Sequence, residues 1–93
     1  MDCFAEYSAP ESGGLLIHIE FYFGSGVHTA DYAVNAGGAE KLRRFAGGGD
    51  AAALLRYLTE NFSANNKIFG LLSDLGIGFE KLSDRYEDTS SDV

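Results

Sequence analysis

The stretch from Leu15 to Asn35 constrains this chain most: LLIHIEFYF, then Gly24-Ser25-Gly26, then VHTADYAVN. Two runs rich in β-branched and aromatic residues around a glycine-flanked turn predict a β-hairpin. With Ser25 and Gly26 as a two-residue loop, Phe23 pairs with His28, Phe21 with Ala30, Ile19 with Tyr32 and Ile17 with Val34. One face is then almost wholly apolar, and the other carries Leu16, His18, Glu20 and Tyr22 beside Asn35, Ala33, Asp31 and Thr29. In that register Glu20 stands directly across from Asp31, and like charges so placed destabilise a sheet. A three-residue loop would instead set Asp31 opposite Ile19 and bring His28 to the Tyr22 side.

The apolar face needs a cover, and the sequence after Asn35 supplies one. Residues Ala39 to Ala46 predict a short helix with Leu42 and Phe45 inward, stopped by Gly47-Gly48-Gly49. Asp50 is a good N-cap for a second helix from Ala51 to about Asn61, whose Leu54, Leu55, Leu58 and Phe62 recur at helical spacing. Ser63 fits the N-cap of a third, running to Leu75 with Ile68, Leu71, Leu72 and Leu75 on one face and Gly76 as its stop. Residues 2 to 8 alternate weakly and fit a short strand beside the hairpin, followed by a loop at Pro10 to Gly14. The fold class is therefore α+β: a small antiparallel sheet built on a β-hairpin, with helices packed on one face. Residues 1–88 are expected to form one such domain and 89–93 a flexible acidic tail. At 93 residues folding buries about 60 to 65% of the extended-chain surface, enough for one modest core.

Residues 77 to 88 admit two structures. As a helix, Phe79, Leu82 and Tyr86 face inward while Glu80, Asp84 and Asp88 form an i, i+4, i+8 acidic row with Glu87 beside it. The alternative is a short strand through Gly78 to Leu82.

Charge narrows the function classes. The net charge is −7, and residues 1 to 40 hold six acids without a single Lys or Arg. Phosphate backbones and anionic membranes repel such a surface, whereas a basic protein attracts it. The first residues lack the basic and apolar regions of a secretory signal, and no run reaches membrane-spanning length. The expected location is the cytoplasm. A lone Cys3 has no intramolecular disulfide partner and reads as a small apolar residue.

Motifs for catalysis or cofactor binding are weak. Gly24-x-Gly26 leads into a strand and not a helix, and the triple glycine before Asp50 lacks the Lys-Ser or Lys-Thr of a phosphate loop. His18 and His28 fall on opposite faces in the two-residue register; the three-residue loop would place both beside Glu20 and keep a metal or general-base site open. Glu20 and Asp31 side by side would titrate as a coupled pair, one route to acid/base chemistry. A chain this short without Trp encloses little substrate, and the pair fits a contact surface with Tyr22 and His18 better. No metal and no cofactor are expected, and no enzyme.

Carboxylates on alternate strand residues lie about 6.6 to 6.8 Å apart, close to the phosphate spacing along a DNA strand. They can occupy Arg and Lys sites meant for a duplex. In size, acidity and hairpin-plus-helices build, the chain resembles the small phage-encoded anti-CRISPR proteins. The residues that carry the resemblance are Glu20 and Asp31 in the Lys/Arg-free segment and the Glu80, Asp84, Glu87, Asp88 row. It implies a non-enzymatic inhibitor that presents these acids, with Tyr22, to the basic nucleic-acid channel of a CRISPR effector in the host cytoplasm. An antitoxin or immunity-type protein facing a basic nuclease has the same electrostatics. A small adaptor domain, acidic only for solubility, is the third reading.

Overall fold

The computed structural model describes residues 2–88; the tail expected at 89–93 lies outside them. Strands β1 (Asp2–Ser8), β2 (Leu15–Tyr22) and β3 (Gly26–Val34) lead into helices α1 (Ala36–Phe45), α2 (Ala51–Phe62) and α3 (Ile68–Asp74), and β4 (Glu80–Asp88) closes the order. The four strands form one antiparallel sheet in the order β1-β2-β3-β4, so the α+β fold read from the sequence stands.

The hairpin turns at Gly24-Ser25, where the Phe23 amide donates to the Gly26 carbonyl at 2.8 Å. Phe21 therefore pairs with His28, Ile19 with Ala30, Ile17 with Tyr32 and Leu15 with Val34. The register differs by two residues from the one expected, and a shift of two leaves every side chain on its expected face. It also replaces the repulsive Glu20 to Asp31 pairing with His18 opposite Asp31 and Thr29 opposite Glu20. Electrostatics across the strands thus favours the observed register.

The odd-numbered face of β2 carries the core. Leu15, Ile17 and Ile19 are buried with Val34 and Ala30 of β3 and Ala5 of β1, while Leu42, Leu54, Leu58, Ile68 and Leu72 come down from the helices. Asn35 caps α1, accepting from the Gly38 amide at 2.8 Å, and Asp50 caps α2, accepting from the Ala53 amide at 2.9 Å. Helix α1 starts three residues earlier than expected because Asn35 provides that cap. Phe45, expected inward, lies at the far end of α1 and is 49% exposed.

Ser63 does not start α3. It closes α2, its carbonyl accepts from the Ala5 amide of β1 at 2.7 Å, and α3 begins only at Ile68. Gly76 takes φ +69° just beyond α3, the left-handed conformation expected of its stop. Tyr32 then meets Phe69 and Phe79 edge to face, and Phe69 meets Phe79 at a tilt, with ring centroids 4.9 to 5.6 Å apart, fixing the return into β4 against the sheet.

Residues 80–88 are a strand along their whole length, which overturns the helical acidic row. The alternation is masked in sequence by a β-bulge: Asp31 pairs with Ser83 but Tyr32 with Lys81, leaving Leu82 as the extra residue. No helix in the described residues is long and apolar enough to cross a membrane.

Candidate functional site

Strand alternation and the three registers place rows of side chains across the open face of the sheet. One row runs Glu6, His18, Asp31, Ser83, and the next Phe4, Glu20, Thr29, Arg85. The outer rows end in Glu80 beside Ala33 and in Glu87 beside Val27. Glu20, Asp31, Tyr22, Glu80 and Glu87 thus share the open face. Asp84 does not: it pairs with Ala30, lies on the helix-bearing face and bonds to His28 and to Lys81 Nζ at 2.8 Å. Asp88 sits opposite Gly26 at the end of β4, with its side chain outside the described set.

His18 occupies the place between the two carboxylates that the sequence set against each other. Its Nδ1 is 2.7 Å from Asp31 Oδ1, and its Nε2 is 3.2 Å from Glu20 Oε2. Ser83 Oγ donates to Asp31 Oδ2 at 2.6 Å, and the Tyr22 hydroxyl donates to Glu20 Oε1 at 2.7 Å. A single chain of bonds runs Ser83, Asp31, His18, Glu20, Tyr22 across three strands.

The electrostatic consequence is mutual. Asp31 above all, and then Glu20, raise the His18 pKa over its ordinary value against an opposing effect of burial. Asp31 is held below the usual carboxylate range first by the Ser83 hydroxyl and then by His18. Glu20 is held down first by the Tyr22 hydroxyl and then by His18, and the same bond pushes the Tyr22 hydroxyl up. A doubly protonated ring donating from both nitrogens satisfies both carboxylates.

The arrangement is not that of an activated nucleophile, because Ser83 and His18 both bond to Asp31 and neither hydroxyl in the chain faces the imidazole. Both ring nitrogens are engaged by carboxylates, and among the described residues no three His, Cys, Asp or Glu side chains are grouped to hold a metal ion. His28 faces the other side of the sheet, beside Phe21 and Asp84. Cys3 is half-buried on that same side, opposite Phe21, and burial pushes its thiol pKa up, away from a reactive thiolate.

Beside the network, along β1, lies an open depression of about 510 Å³ lined by Phe4, Glu6, Glu20, Tyr22, Thr59 and Ser63 among others. Phe4 and Tyr22 meet edge to face at 5.8 Å, and both are largely exposed, at 49% and 40%. Sequence reasoning missed Phe4 and Glu6 as surface partners of Glu20; the signal was the alternation Asp2, Phe4, Glu6 in β1. A second depression of about 540 Å³ at the other end, near Leu16, Ala33 and Glu80, carries no comparable charged cluster. No known family model matches the chain, and no curated protein or solved structure matches it either.

Proposed function

We propose that the open sheet face is a protein-docking surface through which this chain binds and blocks a basic nucleic-acid-binding protein, without catalysis of its own. The observation that carries the proposal is the Phe4 and Tyr22 pair flanked by the Glu6 and Glu20 carboxylates around the depression along β1. Exposed aromatic faces beside carboxylates suit Arg and Lys side chains, which gain cation–π contact and charge-assisted hydrogen bonds together. Asp2, Asp31, Glu80 and Glu87 extend the negative field over the same face, with Arg85 as the cation among them. The CRISPR effector is the partner class that the resemblance of the sequence implies, and occupation of its DNA channel is the proposed mode of inhibition.

The test is binding to purified CRISPR effector complexes, with and without target DNA, at several salt concentrations. The expected result is tight, salt-sensitive binding that target DNA competes away and that Glu6→Lys and Phe4→Ala each weaken at least about tenfold. Binding indifferent to both substitutions, or undisturbed by DNA, would refute the proposal. Capture of a basic nuclease instead of the effector would assign the surface to an immunity-type inhibitor.

A further inference from the structure

The two edges of the sheet are treated differently. The outer edge of β1 is engaged at its centre, where the Ala5 amide reaches the Ser63 carbonyl. No backbone bond among the described residues reaches the outer edge of β4, a nine-residue strand. Such an edge offers a row of free amides and carbonyls to another strand. Two large apolar side chains stand exposed along it, Leu82 at 53% and Tyr86 at 57%, and Phe79 just before it is 43% exposed.

We propose that β4 pairs with β4 of a second copy of this chain, antiparallel about a two-fold axis between Leu82 and Ser83, to make one continuous eight-stranded sheet. The charge pattern selects both the occupant and the register. Opposite each other across that axis fall Lys81 and Asp84, Glu80 and Arg85, and Phe79 and Tyr86. Every charged pair is attractive and the third is aromatic, in each half of the two-fold pairing. Moving the axis onto Leu82 or onto Ser83 brings Glu80 opposite Asp84 or Lys81 opposite Arg85, residues on different faces of the strand, and leaves no attractive charged pair. An axis between Ser83 and Asp84 opposes Glu80 to Glu87, and one on Asp84 opposes that residue to itself.

The bulge at Leu82 is what allows this register. In a regular strand residues three apart point to opposite faces, so Lys81 and Asp84 could not meet across a two-fold axis perpendicular to the sheet. The extra residue brings both onto the helix-bearing face: Lys81 Nζ lies 6.0 Å from the centre of the Tyr32 ring, and Asp84 bonds to His28. Phe79 and Tyr86 share that face, the first against Tyr32 and Phe69 and the second beside Phe23. Glu80 and Arg85 share the open face, opposite Ala33 and Thr29. Within one chain Lys81 already holds Asp84 at 2.8 Å, and dimerisation exchanges these two pairs, one in each copy, for two between the copies. Tyr86 of one copy covers the exposed Phe79 of the other.

The inference is independent of what docks on the open face. Its test is the mass of the full chain in solution, by sedimentation equilibrium or light scattering over a concentration series. The expected result is a dimer whose Kd rises at least about tenfold on Lys81→Asp and on Asp84→Lys, since each substitution turns both central pairs repulsive. Mixed in equal amounts, the two variants regenerate the dimer, because every 81 to 84 pair is again Asp with Lys. Glu80→Arg and Arg85→Glu form a second mixing pair that guards against a misfolded variant, and a β-sheet circular dichroism spectrum checks each chain. A wild type that stays monomeric at about 1 mM, unchanged masses for the variants, or failure of both mixtures to dimerise would overturn the proposal.

Discussion

His18 and Asp31 lie directly opposite each other on β2 and β3, with Nδ1 2.7 Å from Oδ1, and this contact ties the stability of the sheet to pH. Folding raises the His18 pKa above its ordinary 6.5, so the stabilisation from His18 is complete below that value and is lost as pH rises through the raised one. Asp31 and Glu20 are depressed below 3.8 and 4.5, so their stabilisation is complete above those values and is lost as pH falls through the depressed ones. The network therefore contributes most between about pH 4.5 and 6.5. Its partners are partly exposed and screened, which limits the effect to less than about 1 kcal/mol. Urea unfolding should show the wild type losing stability from pH 5.5 to pH 8.5 by more than His18→Gln does. Parallel curves for the two proteins would show the contact to be energetically silent.

The two carboxylates act unequally on the ring. The Asp31 bond is the largest cause of the raised His18 pKa, and the longer Glu20 bond, at 3.2 Å, ranks below it. Asp31→Asn should therefore bring the His18 pKa down further than Glu20→Gln does. Titration of the imidazole proton resonances by NMR measures both, and equal shifts would contradict the order.

The part of this site legible in the sequence was the sorting of side chains onto faces. That sorting depends only on odd and even positions, and the two-residue shift in register preserved it. The pairing itself was not legible, because Gly24-Ser25 and Ser25-Gly26 are both acceptable turns and local sequence does not choose between them. His18 opposite Asp31 does choose, but that contact is visible only once the strands are aligned. The strand at 80–88 was obscured for a different reason: an edge strand exposed along most of its length has little hydrophobic period, and the bulge at Leu82 breaks what alternation there is. A serine before an apolar run is a good cap signal, but the Ser63 carbonyl is occupied by the Ala5 amide of β1, a contact between residues far apart in sequence that local pattern does not reveal.

The helical layer should respond to truncation according to depth and not to hydrophobicity. Leu58 is fully buried between α2 and the sheet core, so Leu58→Ala should cost about 2 to 5 kcal/mol by removing apolar contact and leaving a cavity. Phe45 is the larger side chain but stands half in solvent at the end of α1, and Phe45→Ala should cost less than about 1 kcal/mol. Urea midpoints of the two variants separate these outcomes, and a comparable loss for both would mean that Phe45 packs inward after all.

Two adjacent glycines in the first turn of α1 should behave in opposite ways. A Cβ on Gly38 would meet Ile77 Cγ2 and Val34 Cγ1 at 2.7 Å each, where helix, sheet end and the approach to β4 converge. Both neighbours are buried branched side chains with little room to turn aside. Gly38→Ala should therefore lose about 1 to 3 kcal/mol to overpacking, only partly offset by the gain of about 1 kcal/mol in helix propensity. A Cβ on Gly37 would meet only Asn35 Oδ1, at an ordinary 3.6 Å, so Gly37→Ala keeps the propensity gain and should be neutral to stabilising by up to about 1 kcal/mol. Thermal melts of the two single variants decide it: the pair should move the midpoint in opposite directions, and a stabilising Gly38→Ala would show that α1 sits further from Ile77 and Val34 than the structure places it.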